Sequence, residues 1–412
     1  MPTLASLRRL HSAPQVLETS IRIWIGKLTL TDFRNYRAST MTVRLGPVVL
    51  VGPNGAGKTN CLEAVSLLTA GRGLRSLPFS DLARGGGPGG WAIAARVSIA
   101  GEEVEIGTGV QPSADGVVSA RAARIVKIDH AIAKGSGALA AVRMLWLTPA
   151  MDGLFTGPAS ERRRFLDRLV LSLEPSYASA AAIFDRAMRQ RNKALESLSS
   201  PQLLNAIEAQ MANAAVCIAA ARMRAIENLA SEILEERDRD PDSVFPWAGL
   251  TLQGHLEGQV GAMDKGAMSD TYRQLLASAR DRDRAAGRTL TGPHRSDLEV
   301  THGPKGTPAK MCSTGEQKAL LIGLVLAHAR LIKKTCGGVS PLILLDEIAA
   351  HLDLGRRLAL FSSIASLNAQ VWMTGTDADI FAPLQNVTET QFFHVSNGAI
   401  APANDAESAS EH

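Results

Sequence analysis

Residues 52–59 read Gly-Pro-Asn-Gly-Ala-Gly-Lys-Thr and follow directly on the apolar run Pro47-Val-Val-Leu-Val51. A glycine, four residues, then Gly-Lys-Thr is the P-loop spacing, and a strand before it with a helix after it is the context that the chemistry requires. Each part has a physical reason. Glycines let successive backbone N–H groups curl round a phosphate, the lysine reaches the β- and γ-phosphates, and the threonine hydroxyl is a ligand for Mg²⁺. The spacing predicts that Gly52, Pro53, Asn54, Gly55, Ala56, Gly57, Lys58, Thr59 and Asn60 hold ATP, with Thr59 on the metal. A second string, Pro341-Leu-Ile-Leu-Leu-Asp-Glu347, is an apolar run ending in two carboxylates. A buried parallel strand delivers such a carboxyl end to the crevice where ligands sit. Asp346 is then expected to hold Mg²⁺ through water and Glu347 to polarise the attacking water. Alone the acidic strand is a common pattern; an earlier P-loop in the same chain gives it meaning.

The elements that must position these groups follow from periodicity. Alternation predicts strands at 21–31, 41–45, 91–99, 103–106 and 124–128, a sheet of antiparallel type beside the nucleotide core. A helix is expected from Asn60 to about Thr69. From about Pro158 the pattern turns helical, with runs at 160–173, 176–197, 203–237 and 269–286, punctuated by Pro175, Ser199-Ser-Pro201 and the stretch from Asp238 to Pro246. Ser160 is a candidate cap for the first of these. No heptad repeat is sustained there, which disfavours a long coiled coil. Strand-like runs return at Leu298–Val300, Pro341–Leu345, Gln370–Met373 and Gln391–Val395. The expected organisation is a disordered extension at 1–20, a P-loop lobe at 21–150, a helical lobe at 151–287, the rest of the ATPase lobe at 288–400 and a disordered tail at 401–412. The fold class is α/β with an inserted α-helical lobe.

Ser313-Thr-Gly-Glu-Gln317 opens a helix expected over 318–332, with Ser313 as N-cap and Glu316 at the capping-box position. It reads equally as a capped core helix or as an anion site at a helix N-terminus. The string resembles the signature of ABC-type ATPases, which follows a helical insertion and precedes the acidic strand, as here. His351-Leu-Asp353 resembles their D-loop. The resemblance implies an ABC-type ATPase head, a mixed sheet with an antiparallel subdomain. It also implies that Ser313, Gly315 and Asp353 of one copy close over the γ-phosphate held by the P-loop of another, an ATP-dependent homodimer. Two departures matter. No Q-loop glutamine stands near Leu145-Trp-Leu-Thr-Pro149, and the switch histidine of transporter ATPases is missing. After Met373 the chain reads Thr374-Gly-Thr-Asp377, with Thr376 or Asp377 candidates for that place. Slow hydrolysis, well below ~10 s⁻¹, is the expectation.

Three further strings narrow the family. Leu30-Thr-Asp-Phe-Arg-Asn-Tyr36 resembles the start of chromosome-maintenance ATPases, the group of SMC, RecN and RecF, and the Phe-Arg-Asn-Tyr version is most similar to RecF proteins. That likeness places Arg34 near the nucleotide. The stretch from Pro149 to Asp167 resembles a second RecF-family pattern in Gly157, Pro158, Arg163, Phe165, Leu166 and Asp167, although Ala150 replaces its usual acidic residue. Gly292-Pro-His-Arg-Ser-Asp-Leu298 and Arg189-Gln-Arg-Asn-Lys193 resemble two more. The insertion between P-loop and signature is about 250 residues, too short for an SMC arm. The RecF resemblance covers residues 21 to about 400. It implies a weak, DNA-dependent ATPase of recombinational DNA repair that acts with RecO and RecR to promote RecA loading at single-strand gaps.

Composition bounds these readings. The chain has 412 residues, 45% of them hydrophobic and 20% charged, with a net charge of +4, so any nucleic-acid surface must be local. From Phe155 to Lys193 eight Arg and Lys stand against four Asp and Glu. Arg186, Arg189 and Lys193 fall on one helix face, suited to phosphate contacts without sequence readout. That face reads as a DNA surface or as a solvated helix. Aromatics are 4% of the chain, which argues against stacking on single strands and for a duplex or a single/double-strand junction. Cys61, Cys217, Cys312 and Cys336 form no C-x-x-C pair, so a zinc site is not expected. No run of 18 uninterrupted apolar residues exists, and no membrane is expected. A bacterial cytoplasmic location is expected. A transporter subunit would need the missing Q-loop and switch histidine.

Overall fold

The computed structural model describes residues 22–112, 123–133, 139, 141–349 and 352–403. The expected extension at 1–20 and His351 lie outside the described residues. At the centre is a six-stranded sheet in the order Ala399–Pro402, Gln391–Ser396, Val48–Val51, Val371–Gly375, Leu342–Leu345, Met144–Leu147. All pairings are parallel except the hairpin of the two C-terminal strands. The closing strand runs to Pro402, into the stretch expected as tail. Met144–Leu147 supplies the edge beside the acidic strand, a strand that periodicity did not show because it is too short to alternate visibly.

Burial on both faces explains the unbroken apolar runs of the central strands. Val49, Val51, Ile343, Leu345, Val371 and Met373 face one core. Val48, Leu50, Leu342, Leu344 and Trp372 face the other. The second core is closed by an antiparallel sheet in the order Tyr36–Thr42, Ile23–Phe33, Trp91–Ile99, Glu102–Val110, Ile125–Ile128, Ala131–Ile132. Between the two sheets lies the P-loop helix Lys58–Ser66, with Cys61, Leu62, Ala64 and Val65 buried. It ends sooner than expected, in turns at Leu67 and Leu68 bonded back to Ala64 and Val65.

The first core extends into the helical lobe through Thr314–Thr335, which is longer at both ends than its apolar pattern implied. The lobe's own helices are Ala159–Leu173, Tyr177–Glu196, Pro201–Arg239, Lys265–Ser278 and Arg280–Ala285. Ser160 does not cap the first of them. Pro158 takes the N-cap place with no side-chain bond, and Ser160 lies in the first turn. Ser200 does cap the 39-residue helix, accepting from the Leu203 amide with Pro201 at its start. That helix is apolar and long enough to cross a bilayer, yet 56% of its most apolar window is buried within the protein.

The helical lobe also carries a three-stranded antiparallel sheet, Thr307–Pro308, Asp297–His302 and Ala248–Gln253. It draws chain from both sides of position 287. At the lobe's centre Arg191, fully buried, donates to Glu208 at 2.9 Å, to Asp283 at 2.7 Å, to the Thr289 hydroxyl at 2.9 Å and to the Leu276 carbonyl at 2.7 Å. A buried guanidinium is tolerable only with its donors matched in this way.

Candidate functional site

The P-loop sits where the strand Val48–Val51 ends and the helix begins. Two of its glycines are required by sterics. A Cβ on Gly52 would lie 2.2 Å from the Val395 carbonyl oxygen, and one on Gly57 would lie 2.5 Å from Asn35 Nδ2, both at positive φ. Lys58 folds over the loop and donates to the carbonyls of Gly52 at 2.6 Å and Pro53 at 3.0 Å. Burial lowers the pKa of this ammonium, while Glu347 and Asp346 oppose the shift. Phosphate oxygens would compete for the same three N–H donors.

Asp346 and Thr59 meet across the sheet. The Thr59 hydroxyl lies 2.9 Å and 3.1 Å from the two carboxylate oxygens of Asp346. Burial pushes the Asp346 carboxyl above its ordinary value, against hydrogen bonds from Thr374 and Thr59 that lower it. One hydroxyl and one carboxylate are hard oxygen donors of the kind Mg²⁺ takes when phosphates and water complete its shell. No group of three or more His, Cys, Asp or Glu able to hold a metal exists among the described residues. Any ion here would take the rest of its shell from phosphates and water.

Thr374 completes the arrangement and was not singled out from the sequence. Its hydroxyl donates to Asp346 Oδ1 at 2.8 Å and accepts the backbone N–H of Glu347 at 2.8 Å. Glu347 has φ of +54°, a costly conformation for a residue with a Cβ. The Thr374 bond pins it there. Thr376 and Asp377, weighed for the switch position, lie beyond the buried strand and are exposed, and Asp377 accepts the Asp379 amide in a turn.

Arg34 is tied to the P-loop helix. It donates to both oxygens of buried Glu63 at 2.8 Å and 3.0 Å and to the Asp81 carbonyl at 2.9 Å. Its neighbours bind the phosphate loop itself. Asn35 Nδ2 donates to the Ala56 carbonyl at 2.8 Å, and the Tyr36 hydroxyl donates to the Gly57 carbonyl at 2.8 Å. Asn60 Nδ2 donates to Asn35 Oδ1 at 2.8 Å. The Phe-Arg-Asn-Tyr turn is therefore a clamp on the outside of the phosphate loop.

Ser313 caps its helix in a full capping box with Glu316, which also pairs with Lys305. Those bonds hold the Glu316 carboxyl down at about 2. Ser313, Thr314 and Gly315 are exposed. Asp353 caps the next helix, Leu354–Leu367, by accepting the Arg356 amide at 2.9 Å. Arg356 Nη1 then donates to the Gly315 carbonyl at 3.3 Å. The turn Ser313–Gly315 and Asp353 thus share one exposed face. No hydrogen bond joins Ser313–Gln317 to the P-loop among the described residues.

On the helix Tyr177–Glu196, Arg186, Arg189 and Lys193 are all exposed, as the spacing predicts, whereas Arg191 between them is the buried anchor described above. The other strings of the insertion bind one another. Arg162 grips Asp297 with bonds of 2.8 Å and 2.7 Å, Arg163 donates to the Ser296 carbonyl at 2.7 Å, and Arg222 ties Asp167 to the Pro293 carbonyl. Asp152, two residues past Ala150, pairs with Lys318 of the signature helix at 3.2 Å.

A family model for the RecF/RecN/SMC N-terminal domain matches residues 24–398. The DNA replication and repair protein RecF of Mesorhizobium japonicum is 52% identical over 385 residues, covering 93% of this chain and 98% of that protein. The chain belongs to the RecF family. The RecF of Brucella abortus is 47% identical over 383 residues, 92% of this chain and 96% of that one. Among solved structures, the recombination mediator protein RecF with ATP superposes at a TM-score of 0.80 and 19% identity, covering 94% of this chain and all of that one. The Smc head domain from Pyrococcus furiosus follows at 0.50 and 16%, over 94% and 99% of the two chains. The ABC-type head with a helical insertion expected from the sequence is thus the fold of this RecF-family chain.

Thr374→Val removes the bond that holds both acidic residues while keeping the strand's shape. ATP affinity should change by less than about threefold and hydrolysis should fall about tenfold or more, with Thr374→Ser restoring it. Equal turnover for wild type and the valine variant, measured by phosphate release, would contradict this role.

Proposed function

We propose that this chain is an ATP-dependent DNA clamp of recombinational repair, a weak ATPase whose nucleotide joins two copies. The observation that supports the reading is the exposed face shared by Ser313, Gly315 and Asp353, which no hydrogen bond joins to the P-loop among the described residues. Met311, Leu354 and Leu358 lie beside it with 74%, 61% and 46% of their surface exposed. Apolar side chains in that position favour coverage by another protein surface. ATP and Mg²⁺ would bind along Gly52–Asn60. Lys58 would leave its loop carbonyls for the β- and γ-phosphates. Thr59 and Asp346 would hold the ion, Glu347 would orient the attacking water, and Thr374 would keep both acids in place. The second copy would supply Ser313 with its helix N-terminus, Gly315 and Asp353.

DNA would lie along Arg186, Arg189 and Lys193 as a duplex or a single/double-strand junction held through phosphates. By family, RecO and RecR are the partners, RecA loading at single-strand gaps is the outcome, and the bacterial cytoplasm is the setting. The lobes expected at 21–150, 151–287 and 288–400 would then serve as ATP-binding, DNA-binding and signature-bearing parts. A transporter subunit is the weaker reading, because Thr374-Gly-Thr-Asp377 offers no switch histidine.

Sizing by light scattering tests the clamp. ATP should double the mass of the wild type, and Lys58→Arg or Ser313→Arg should each hold the protein at the mass of one chain. A monomer indifferent to ATP would sink the reading. For the DNA surface, replacing Arg186, Arg189 and Lys193 together by alanine should weaken duplex binding and lower the slope of log K against log salt by about two to three. An unchanged slope would remove the helix from the interface.

A further inference from the structure

Away from the nucleotide, a cleft of about 120 Å³ lies between the loop leaving the P-loop helix and the helix Ala159–Leu173. Its wall carries Arg72, Arg143 and Arg168 and neither Asp nor Glu among the described residues. Trp146 of the edge strand also lines it, and the buried indole Nε1–H has no acceptor. Arg168 lies between two aromatic rings, its Cζ 5.1 Å from the centre of Trp146 and 5.9 Å from that of Phe165. Its polar contact is the Met151 sulfur, 3.7 Å from Nη2, and no carboxylate pairs with it among the described residues. Burial and the neighbouring Arg164 hold the Arg168 pKa down at about 10. Arg168 lines the cleft with no counter-charge, and its planar fork of donors suits an oxyanion. Arg143 is fixed in the wall by the carbonyls of Ser172 and Leu173.

We infer that this cleft binds a small oxyanion of the phosphate type, held by Arg168 at the seam between the P-loop lobe and the helical lobe, with Trp146 in the wall as its reporter. The space far exceeds the ~10–15 Å³ that one water needs and falls short of the ~300 Å³ typical of pockets for larger ligands. The same seam communicates with the nucleotide. Arg75, on the loop that lines the cleft, donates to Asn60 at 3.0 Å and to Glu63 at 3.1 Å on the P-loop helix. Occupancy would tether the helix Ala159–Leu173 to that loop.

The test uses the full chain carrying Lys58→Ala, which disables phosphate binding at the P-loop. Inorganic phosphate is titrated at constant ionic strength while tryptophan fluorescence is followed. A saturable change is expected, absent in Trp146→Phe and weakened about tenfold or more in Arg168→Met, with partial recovery in Arg168→Lys. Arg168→Met in an otherwise wild-type chain should still bind ATP, which shows that it folds; if it does not, Arg168→Lys against Lys58→Ala alone decides. Competition by a short DNA duplex would identify backbone phosphate as the source of the anion, and its absence would identify free phosphate. An identical titration for the arginine and methionine proteins would overturn the site.

Discussion

The bond from Thr59 to Asp346 joins residues 287 positions apart, and the site depends on bringing those two side chains together. It depends on strand order. Val48–Val51 lies next to Val371–Gly375, which lies next to Leu342–Leu345, all parallel, so three carboxyl ends finish side by side. The P-loop threonine comes from the first, Thr374 from the second, and Asp346 with Glu347 from the third. Thr374, in the middle, is the residue that can touch both sides. A slip of one residue in any strand would turn these groups into the cores on either face.

A second constraint comes from outside the sheet. The phosphate loop is gripped through its own carbonyls by Asn35 and Tyr36, and its helix is gripped through Glu63 by Arg34 and Arg75. The antiparallel sheet thus holds the P-loop in shape before any nucleotide arrives. A loop prepared in this way loses little conformational entropy on binding phosphate.

Much of this was legible in the residues themselves. The P-loop, the acidic strand and the capping box announce themselves because their chemistry is local: a glycine spacing, an apolar run, a serine three residues before a glutamate. The roles of Arg34, Arg191 and Thr374 were not legible, since each is defined by a partner far along the chain. Nothing in the Phe-Arg-Asn-Tyr string names Glu63 as the partner of Arg34, and nothing in the Arg189–Lys193 string names Glu208 and Asp283 as the partners of Arg191. Ala248–Gln253 escaped for a similar reason. It is only half-buried, and its pairing with Asp297–His302 gives it a strand's identity that its own pattern lacks. The strings Arg162-Arg163 and Ser296-Asp297 stood apart in sequence as two resemblances and prove to be two halves of one contact.

In the proposed clamp, ATP is a bond between two chains, each bringing the half-site the other lacks. Mixing two inactive variants tests it most directly. Lys58→Arg disables a P-loop and Ser313→Arg disables a signature. In a mixed dimer one composite site combines both lesions and the other combines none. Neither protein alone should hydrolyse ATP, and the mixture should. A mixture no more active than the sum of its parts would contradict it.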